Sequence, residues 1–240
     1  MLNKEKHQLI MGKILRDIYS DISVSSLLGL KGGTATYFFY GLPRFSVDLD
    51  FDILSEDEDD KKIVYNKILE IIKKYGTIKD SYIKKYTIFA LLSYSDMDSN
   101  IKIEINTKNQ IKNIKSKYEL KKYLGISMIV AKKEYLFAGK ISALTMRTKT
   151  AMRDIYDINY FAKNNWDIDE EAVKSISNRD KKEQLSLCLE VIEKIKDNEI
   201  MTGLGELVKE EEKEWIRKDL REETIFMIKN YISVIKWNLI

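Results

Sequence analysis

The segment Phe45–Ile53 constrains the fold of this 240-residue chain more than any other. Apolar and acidic residues alternate along it, with Val47, Leu49, Phe51 and Ile53 separated by Asp48, Asp50 and Asp52. A period of two predicts a β-strand with one buried and one polar face. The aspartates then share a face about 7 Å apart, where at an effective dielectric constant of about 20 two charges repel by about 2 kcal/mol. A fold keeps this arrangement only where water, a basic partner or a bound cation offsets the repulsion.

A bound divalent cation is one interpretation of these aspartates. Mg²⁺ prefers carboxylate oxygens and binds through a few protein ligands together with substrate phosphates. The solvated polar face of an edge strand is the alternative. An EF-hand is excluded because, counted from Asp48, the sixth and twelfth positions are Ile53 and Asp59 instead of glycine and glutamate.

A glycine pair lies upstream of the acidic strand. Gly32 and Gly33 follow the short apolar run 25–31, and Thr34 suits the N-cap of a predicted helix over 35–40. Backbone N–H groups at such a strand-to-helix junction can bind phosphate, although most glycine pairs mark ordinary turns.

Two further charged residues could complete a site. Glu104 is on the polar face of a second alternating strand, 100–106, where it offers a third carboxylate or pairs with a lysine across strands. Arg44 directly precedes the acidic strand, so it could meet a phosphate or neutralise Asp48 or Asp50.

The remaining pattern predicts a mixed first half and a helical second half. In the first half we expect one helix over 7–20, with Leu9, Ile10, Ile14, Leu15 and Ile18 on one side, and a second helix from the acidic stretch 55–60 to about 75. We also expect strands at 87–94, 100–106 and 126–130, with a turn at 95–99. From Lys132 onward the chain reads as helical, with breaks near 148–150, 164–167, 178–179 and 202–205. The predicted class is α+β, with domains at 1–130 and 131–240.

The helical half contains a second charged cluster. Lys140 shares a helix face with Leu136, Ala143 and Arg147, in apolar surroundings that predict partial burial. A partly buried lysine needs an anionic partner, either a carboxylate or a phosphate. Asp154 and Asp157 follow at a spacing of three on one helix face, so a salt-bridge network that locks two helices is the structural alternative.

Four segments in order resemble the AbiEii/AbiGii-type toxin nucleotidyltransferases of the DNA polymerase β-like superfamily. Residues 31–35 with 44–52 resemble the first motif, and 102–106 resembles the strand with the third acidic position. Residues 134–144 with Arg147, and then 153–157, are similar to the later lysine and RDxxD motifs. The resemblance implies a small mixed β-sheet core flanked by helices and a helical C-terminal domain that contributes a lysine and an aspartate to the site.

Carried over by position, the resemblance assigns a role to each motif residue. Asp48 and Asp50 would bind Mg²⁺ with Glu104 as the third carboxylate, and Asp154 would complete the catalytic site. The predicted contacts to the nucleoside triphosphate are Gly32, Gly33, Thr34, Arg44 and Lys140.

The implied activity is Mg²⁺-dependent transfer of nucleotides from an NTP to RNA, with the tRNA acceptor end as the expected target and a cognate antitoxin protein as partner. A small-molecule acceptor such as an antibiotic, or an inactive regulatory module of the same fold, are the alternatives. The basic stretch 108–122, with Tyr118 and Tyr123, could hold RNA or be a solvated surface.

Composition excludes several other classes of site. Cys188 and His7 are the only cysteine and histidine, which excludes an internal disulfide and a cysteine-rich zinc site and makes a histidine-ligated metal cluster or a Ser-His-Asp triad implausible. Basic and acidic residues nearly balance at 41 and 38, so bulk charge does not argue for nucleic acid. With no apolar signal region or membrane-spanning run, we expect a cytoplasmic protein.

Overall fold

The computed structural model describes residues 3–95, 99–108 and 111–237, and the chain divides into two compact units. The first unit comprises Met1–Gly41 and Phe45–Lys132, and the second comprises Leu42–Arg44 and Lys133–Ile240. The first is mixed α/β and the second is helical, which is the α+β architecture that the sequence predicts.

The first unit is built on a seven-stranded mixed sheet within the described residues. Its elements are α1 (Lys4–Ser20), β1 (Leu28–Lys31), α2 (Gly32–Phe39), β2 (Leu49–Ile53), α3 (Glu58–Ile72), β3 (Thr77–Lys84), β4 (Thr87–Ser93), β5 (Asn100–Asn106), a 3-10 turn (Ile114–Lys117), β6 (Tyr118–Tyr123) and β7 (Ile126–Ala131). The strand order is β3-β4-β5-β2-β1-β7-β6. The acidic strand β2 is central, parallel to β5 and antiparallel to β1.

Alternation sorts the strands' side chains into a buried face and a polar face. The apolar residues of β2 and β5 are at most 1% exposed, namely Leu49, Phe51, Ile53, Ile101, Ile103 and Ile105. Helix α1 contributes Met11, Ile14, Leu15 and Ile18 to the core, and begins at Asn3, whose side chain accepts a hydrogen bond from the Lys6 amide. Helix α3 begins similarly at Asp57. The polar residues of β2 and β5 therefore remain on the opposite face.

The structure confirms the predicted strands at 87–94, 100–106 and 126–130, and changes two local predictions. The predicted start of the acidic strand at Phe45 is wrong, since β2 begins only at Leu49. The preceding residues do not join the sheet because the side chains of His7 and Thr34 bind the carbonyls of Val47 and Asp48. Thr34 is not an N-cap, because α2 begins two residues earlier at Gly32.

Other differences occur at exposed positions. Leu9 is 56% exposed, not part of the buried side of α1. Strands β3 and β6 were not predicted; both are edge strands with lysines that blur the alternation. Residues 96–98 of the predicted turn at 95–99 lie outside the described residues.

The second unit consists of helices in the described part of the chain. They are α4 (Lys133–Met146), α5 (Met152–Lys163), α6 (Glu170–Ser177), α7 (Lys181–Glu193), a 3-10 turn (Glu210–Glu212), α8 (Lys213–Lys218) and α9 (Leu220–Trp237). The predicted breaks near 148–150, 164–167 and 178–179 are confirmed, and the break near 202–205 is part of a longer non-helical segment, 194–209. Helix α4 packs on α5, α6 and α7. No described helix combines the length and apolar character needed to cross a membrane.

One of the three aspartates, Asp52, is a structural residue. Its carboxylate is 2% exposed and accepts hydrogen bonds from Lys31 Nζ at 2.5 Å, Asn106 Nδ2 at 2.7 Å and the Tyr118 hydroxyl at 2.6 Å. These donors come from β1, β5 and β6, so one buried charge ties several strands together. A buried charge with this many donors is stabilised where it is.

We expect Asp52→Ala to lower the free energy of unfolding by about 2–4 kcal/mol, because it leaves Lys31 and two buried polar groups without their acceptor. Urea unfolding followed by circular dichroism measures this. Asp80→Ala, at an exposed position on β3, is the matched control and should change stability by less than about 0.5 kcal/mol. Equal losses in the two variants would contradict the structural role of Asp52.

Candidate active site

The structure brings three predicted carboxylates together on the polar face of the sheet. Asp50 of β2 and Glu104 of β5 are directly opposite each other in the parallel ladder. Asp48 precedes β2 and is two residues from Asp50, on the same face. The side chains of Asp48 and Glu104 are 21% and 45% exposed. This face therefore presents clustered negative charge that solvent can reach.

Lys102 is the internal counter-ion of this cluster. Its Nζ is 3.7 Å from Asp48 Oδ2 and 3.3 Å from Glu104 Oε2. Burial lowers the pKa of Lys102, but the attraction of Asp48, Asp50 and Glu104 outweighs it and the pKa lies above its ordinary value. No role is predicted for this lysine from the sequence; its position two residues before Glu104, on the same strand face, is the signal that would reveal it.

Asp50 is the least compensated of the three. Burial, together with repulsion from Asp48 and Glu104, raises the pKa of Asp50 despite the attraction of Lys102 and Lys31. Among the described residues, no side chain forms a hydrogen bond or ion pair with it. A partly buried carboxylate in this state gains most from a cation that reaches it.

The glycine turn approaches Asp50 closely. Gly32 has φ +73°, in the left-handed region that favours glycine, and a Cβ added there would be 2.6 Å from Asp50 Oδ2. Both facts favour glycine at this position. The turn leads into α2, whose first residues are Gly32, Gly33 and Thr34. Their backbone N–H groups begin the helix beside the carboxylate, which is the arrangement predicted for phosphate.

Two side chains hold the backbone that carries Asp48. The buried Thr34 hydroxyl donates to the carbonyl of Asp48 and lies 2.9 Å from Ser46 Oγ. His7 Nε2 donates to the carbonyl of Val47 at 2.9 Å, and His7 Nδ1 accepts from the Tyr94 hydroxyl at 2.6 Å, a tautomer assigned from these partners. Burial lowers the pKa of His7, so the ring is neutral. Sequence analysis gave His7 no function, and a contact across 40 residues leaves no local signal.

The carboxylates suit a divalent cation by their chemistry. Within the described ranges, no three His, Cys, Asp or Glu side chains are close enough to hold a metal ion as they stand. Three carboxylates form the hard oxygen donor set that Mg²⁺ prefers, and Asp50 has no hydrogen-bond or ion-pair partner among the described side chains.

The second unit contains the other predicted site residues in a buried ion-pair network. Arg44 binds Asp157 through two hydrogen bonds, from Nε at 2.5 Å and from its terminal nitrogen Nη2 at 2.6 Å. Lys140 Nζ is 2.8 Å from Asp154 and 2.7 Å from Asp157, and Arg147 is 3.0 Å from Asp154. The network joins α4 to α5, as the structural alternative in the sequence analysis predicts.

Arg44 has a partner that sequence analysis did not foresee. Its side chain is 2% exposed, and the carboxylate it binds is 113 residues away in the chain. Burial opposes ionisation of Asp157, but Arg44 and Lys140 lower its pKa below the ordinary value. The network has one net positive charge, because it contains three cations and two carboxylates. These are Arg44, Lys140 and Arg147, and Asp154 and Asp157.

A family model for the AbiEii nucleotidyl transferase toxins of type IV toxin–antitoxin systems matches residues 13–225. The chain belongs to this family. It is a toxin nucleotidyltransferase, which implies an NTP substrate and an antitoxin partner. The match spans both units and all the segments in which the sequence resemblance was found.

Solved structures share the fold of this AbiEii-family enzyme at low identity. They include an H. pylori protein assigned to the nucleotidyltransferases (20% identity, TM-score 0.63, 98% of this chain and 97% of that one) and JHP933 from Helicobacter pylori (18%, 0.61, 99% and 95%). MenT4, a nucleotidyltransferase toxin from Mycobacterium tuberculosis, is also similar (15%, 0.55, 93% and 83%). No curated protein matches the chain.

We expect Asp50→Asn to raise the melting temperature without metal, because it removes a carboxylate whose ionisation the fold disfavours. The same change should abolish stabilisation by Mg²⁺, which for a bound cation is about 2.7 kcal/mol at 100 times its Kd. Thermal unfolding with and without millimolar Mg²⁺ measures both effects. Asp80→Asn is the control and should keep the wild-type response; an unchanged Mg²⁺ response in Asp50→Asn would remove Asp50 from the metal site.

His7 should make stability depend on pH. Because burial lowers its pKa below the ordinary 6.5, the unfolded chain binds this proton more readily than the folded protein. The stability associated with neutral His7 is complete above about pH 6.5 and is lost as pH falls below it. Between pH 7.5 and 5.5 the melting temperature of the wild type should therefore fall more than that of His7→Gln. Parallel curves would show that His7 does not titrate in this way.

Proposed function

We propose that this AbiEii-family enzyme transfers a nucleotide from an NTP to an RNA acceptor, with Mg²⁺ bound by Asp48, Asp50 and Glu104. The observation that carries the proposal is the cross-strand pair of Asp50 and Glu104, with Asp50 uncompensated beside the glycine turn of α2. Family membership supports nucleotidyl transfer, and this pair supports its location. Action on RNA would place the enzyme in the cytoplasm.

The chain's own residues divide the chemical work in this proposal. The backbone N–H groups of Gly32, Gly33 and Thr34 hold the triphosphate. Mg²⁺ held by Asp48, Asp50 and Glu104 would supply charge neutralisation and lower the pKa of the acceptor hydroxyl. The Lys102 ammonium, 3.7 Å from Asp48 and 3.3 Å from Glu104, would be the protein's own cation for phosphate oxygens on this face.

The transfer step is a single displacement at phosphorus. A hydroxyl oxygen of the acceptor forms a bond to the α-phosphorus of the NTP, and the bond from that phosphorus to the oxygen bridging to the β-phosphorus breaks. Pyrophosphate leaves with the bonding electron pair, and Glu104 takes up the hydroxyl proton. The step requires positioning and charge neutralisation more than covalent help from the protein.

The ion-pair network of the second unit has a proposed role in neutralising phosphate charge. Lys140 neutralises phosphate charge, and Asp154 together with Asp157 orients its ammonium. The net positive charge of the network supports this role, since one phosphate charge can be received without unpairing a carboxylate. Arg44, buried and bound twice to Asp157, fixes that carboxylate and is not a proposed phosphate contact.

Incubation with each α-labelled NTP, with total tRNA or an aminoglycoside as acceptor, tests the proposal. We expect Mg²⁺-dependent label on RNA, at the tRNA acceptor end, and a loss of about 100-fold or more in Asp48→Asn and Asp50→Asn. Asp80→Asn is the matched control and should label as the wild type does. Label confined to the aminoglycoside would establish a small-molecule acceptor, and no label on either acceptor would indicate an inactive module.

A further inference from the structure

A row of paired residues continues from the carboxylates toward the β3 edge of the sheet. Asp50 is opposite Glu104, Glu104 is opposite Phe89 on β4, and Phe89 is opposite Tyr82 on β3. Directly paired residues of neighbouring strands share a face. Phe89 and Tyr82 are therefore on the carboxylate face, with Phe89 next to Glu104.

Tyr82 and Phe89 form a stacked aromatic pair. Their centroids are 4.8 Å apart and their planes differ by 12°. Lys84 Nζ is 4.4 Å from the centroid of Tyr82, so Tyr82 has a ring on one side and a cation close by. Tyr82 is on the β3 side of Phe89, and Glu104 is its neighbour on the β5 side. In the described residues no other ring or cation contacts Phe89.

The end of this β3–β4 hairpin is basic. The ammonium groups of Lys85 and Lys108 are 5.1 Å and 5.6 Å from the ring of the 46% exposed Tyr86. None of Lys84, Lys85 and Lys108 forms an ion pair with an acid that the structure describes. Unpaired lysines beside exposed aromatic rings are the usual composition of a surface that binds single-stranded nucleic acid.

Apart from Lys108, the basic stretch 108–122 lacks this character. The Tyr118 hydroxyl is bound to Asp52, Lys121 is paired with Glu119, and the ring of Tyr123 packs on Phe38. Its aromatic residues serve the fold, and residues 109–110 lie outside the described part. The hairpin is therefore the better nucleic-acid surface of the first unit.

We propose that Phe89 is the stacking platform for the terminal base of the RNA acceptor, with Lys84 and the other hairpin lysines facing its phosphates. This inference rests on the proposed function and names the acceptor side of that site. Gly32–Thr34 adjoin Asp50 on the β1 side, and Phe89 adjoins Glu104 on the β4 side. The triphosphate and the acceptor then approach the carboxylates from opposite sides, as an in-line displacement requires.

The direct test uses a short single-stranded RNA that ends in 2-aminopurine, whose fluorescence is quenched when the base stacks. Without NTP or metal, the wild type should quench it, because stacking does not need turnover. Phe89→Leu, which keeps apolar bulk but removes the ring, should bind about tenfold or more weakly. Phe226→Leu, at a 60% exposed phenylalanine of the second unit, is the matched control and should bind as the wild type does.

A second variant keeps the test decisive if Phe89→Leu does not fold. Phe89→Trp retains a ring, so its own fluorescence should be quenched by unmodified RNA and its affinity should be at least that of the wild type. No quenching in this variant, or equal quenching of 2-aminopurine by the wild type and Phe89→Leu, would overturn the platform.

Kinetics separate this inference from the proposed function. In the labelling assay Phe89→Leu should raise the KM for RNA by about tenfold and leave the KM for NTP within about twofold. A rise confined to the KM for NTP would assign the ring to the incoming nucleotide and refute the acceptor platform. If the wild type labels no acceptor, the proposed function fails, and the quenching experiment still decides whether RNA stacks on Phe89.

Discussion

Repulsion between carboxylates on the neighbouring strands β2 and β5 is the constraint around which the polar face of the first unit is arranged. The fold compensates this repulsion differently at each carboxylate. Asp52 receives three donors and is buried, and Asp48 and Glu104 share Lys102. Asp50 is left with distant attraction only, and its pKa is raised. The difference between the structural Asp52 and the proposed metal ligand Asp50 is thus the number of donors that the neighbouring strands supply.

The polar faces of β2 and β5 were predictable, because both segments alternate and place their acids on one face, but the pairing of the two strands was not. The partners of those acids were less accessible. Nothing near Asp48 indicates that His7 and Thr34 bind the backbone carbonyls of 47 and 48 and thereby delay the start of the strand. Such contacts depend on tertiary placement, which periodicity does not encode.

The helical half shows the same limit. Its helix breaks could be read from the sequence, and so could the facing of Lys140 toward carboxylates. The pairing of Arg44 with Asp157 could not, since Arg44 precedes the acidic strand and its partner is 113 residues later. Strands β3 and β6 were missed because edge strands tolerate lysines on both sides of the ladder. The stacked rings on β3 and β4 were consequently hidden as well.

The row of paired residues through Lys31, Asp50, Glu104, Phe89 and Tyr82 crosses five strands. At about 4.8 Å between strands it extends for about 19 Å, the scale of a few nucleotides. Cation, carboxylates and rings succeed one another along it at right angles to the strands. This order of groups depends on the pairing register of the strands. A slip by one residue between β4 and β5 would therefore move the rings to the face opposite the acids.

The short segment Leu42–Arg44 belongs to the second unit although it lies in the sequence of the first. The two units therefore cannot be separated by a single cut in the gene. A fragment that starts at Lys133 would contain Asp154 and Asp157 in its interior but would lack the guanidinium that binds Asp157 twice. Exchange of whole C-terminal segments in evolution meets the same obstacle, because a transplanted helical unit needs an arginine at the position of Arg44 in the recipient chain.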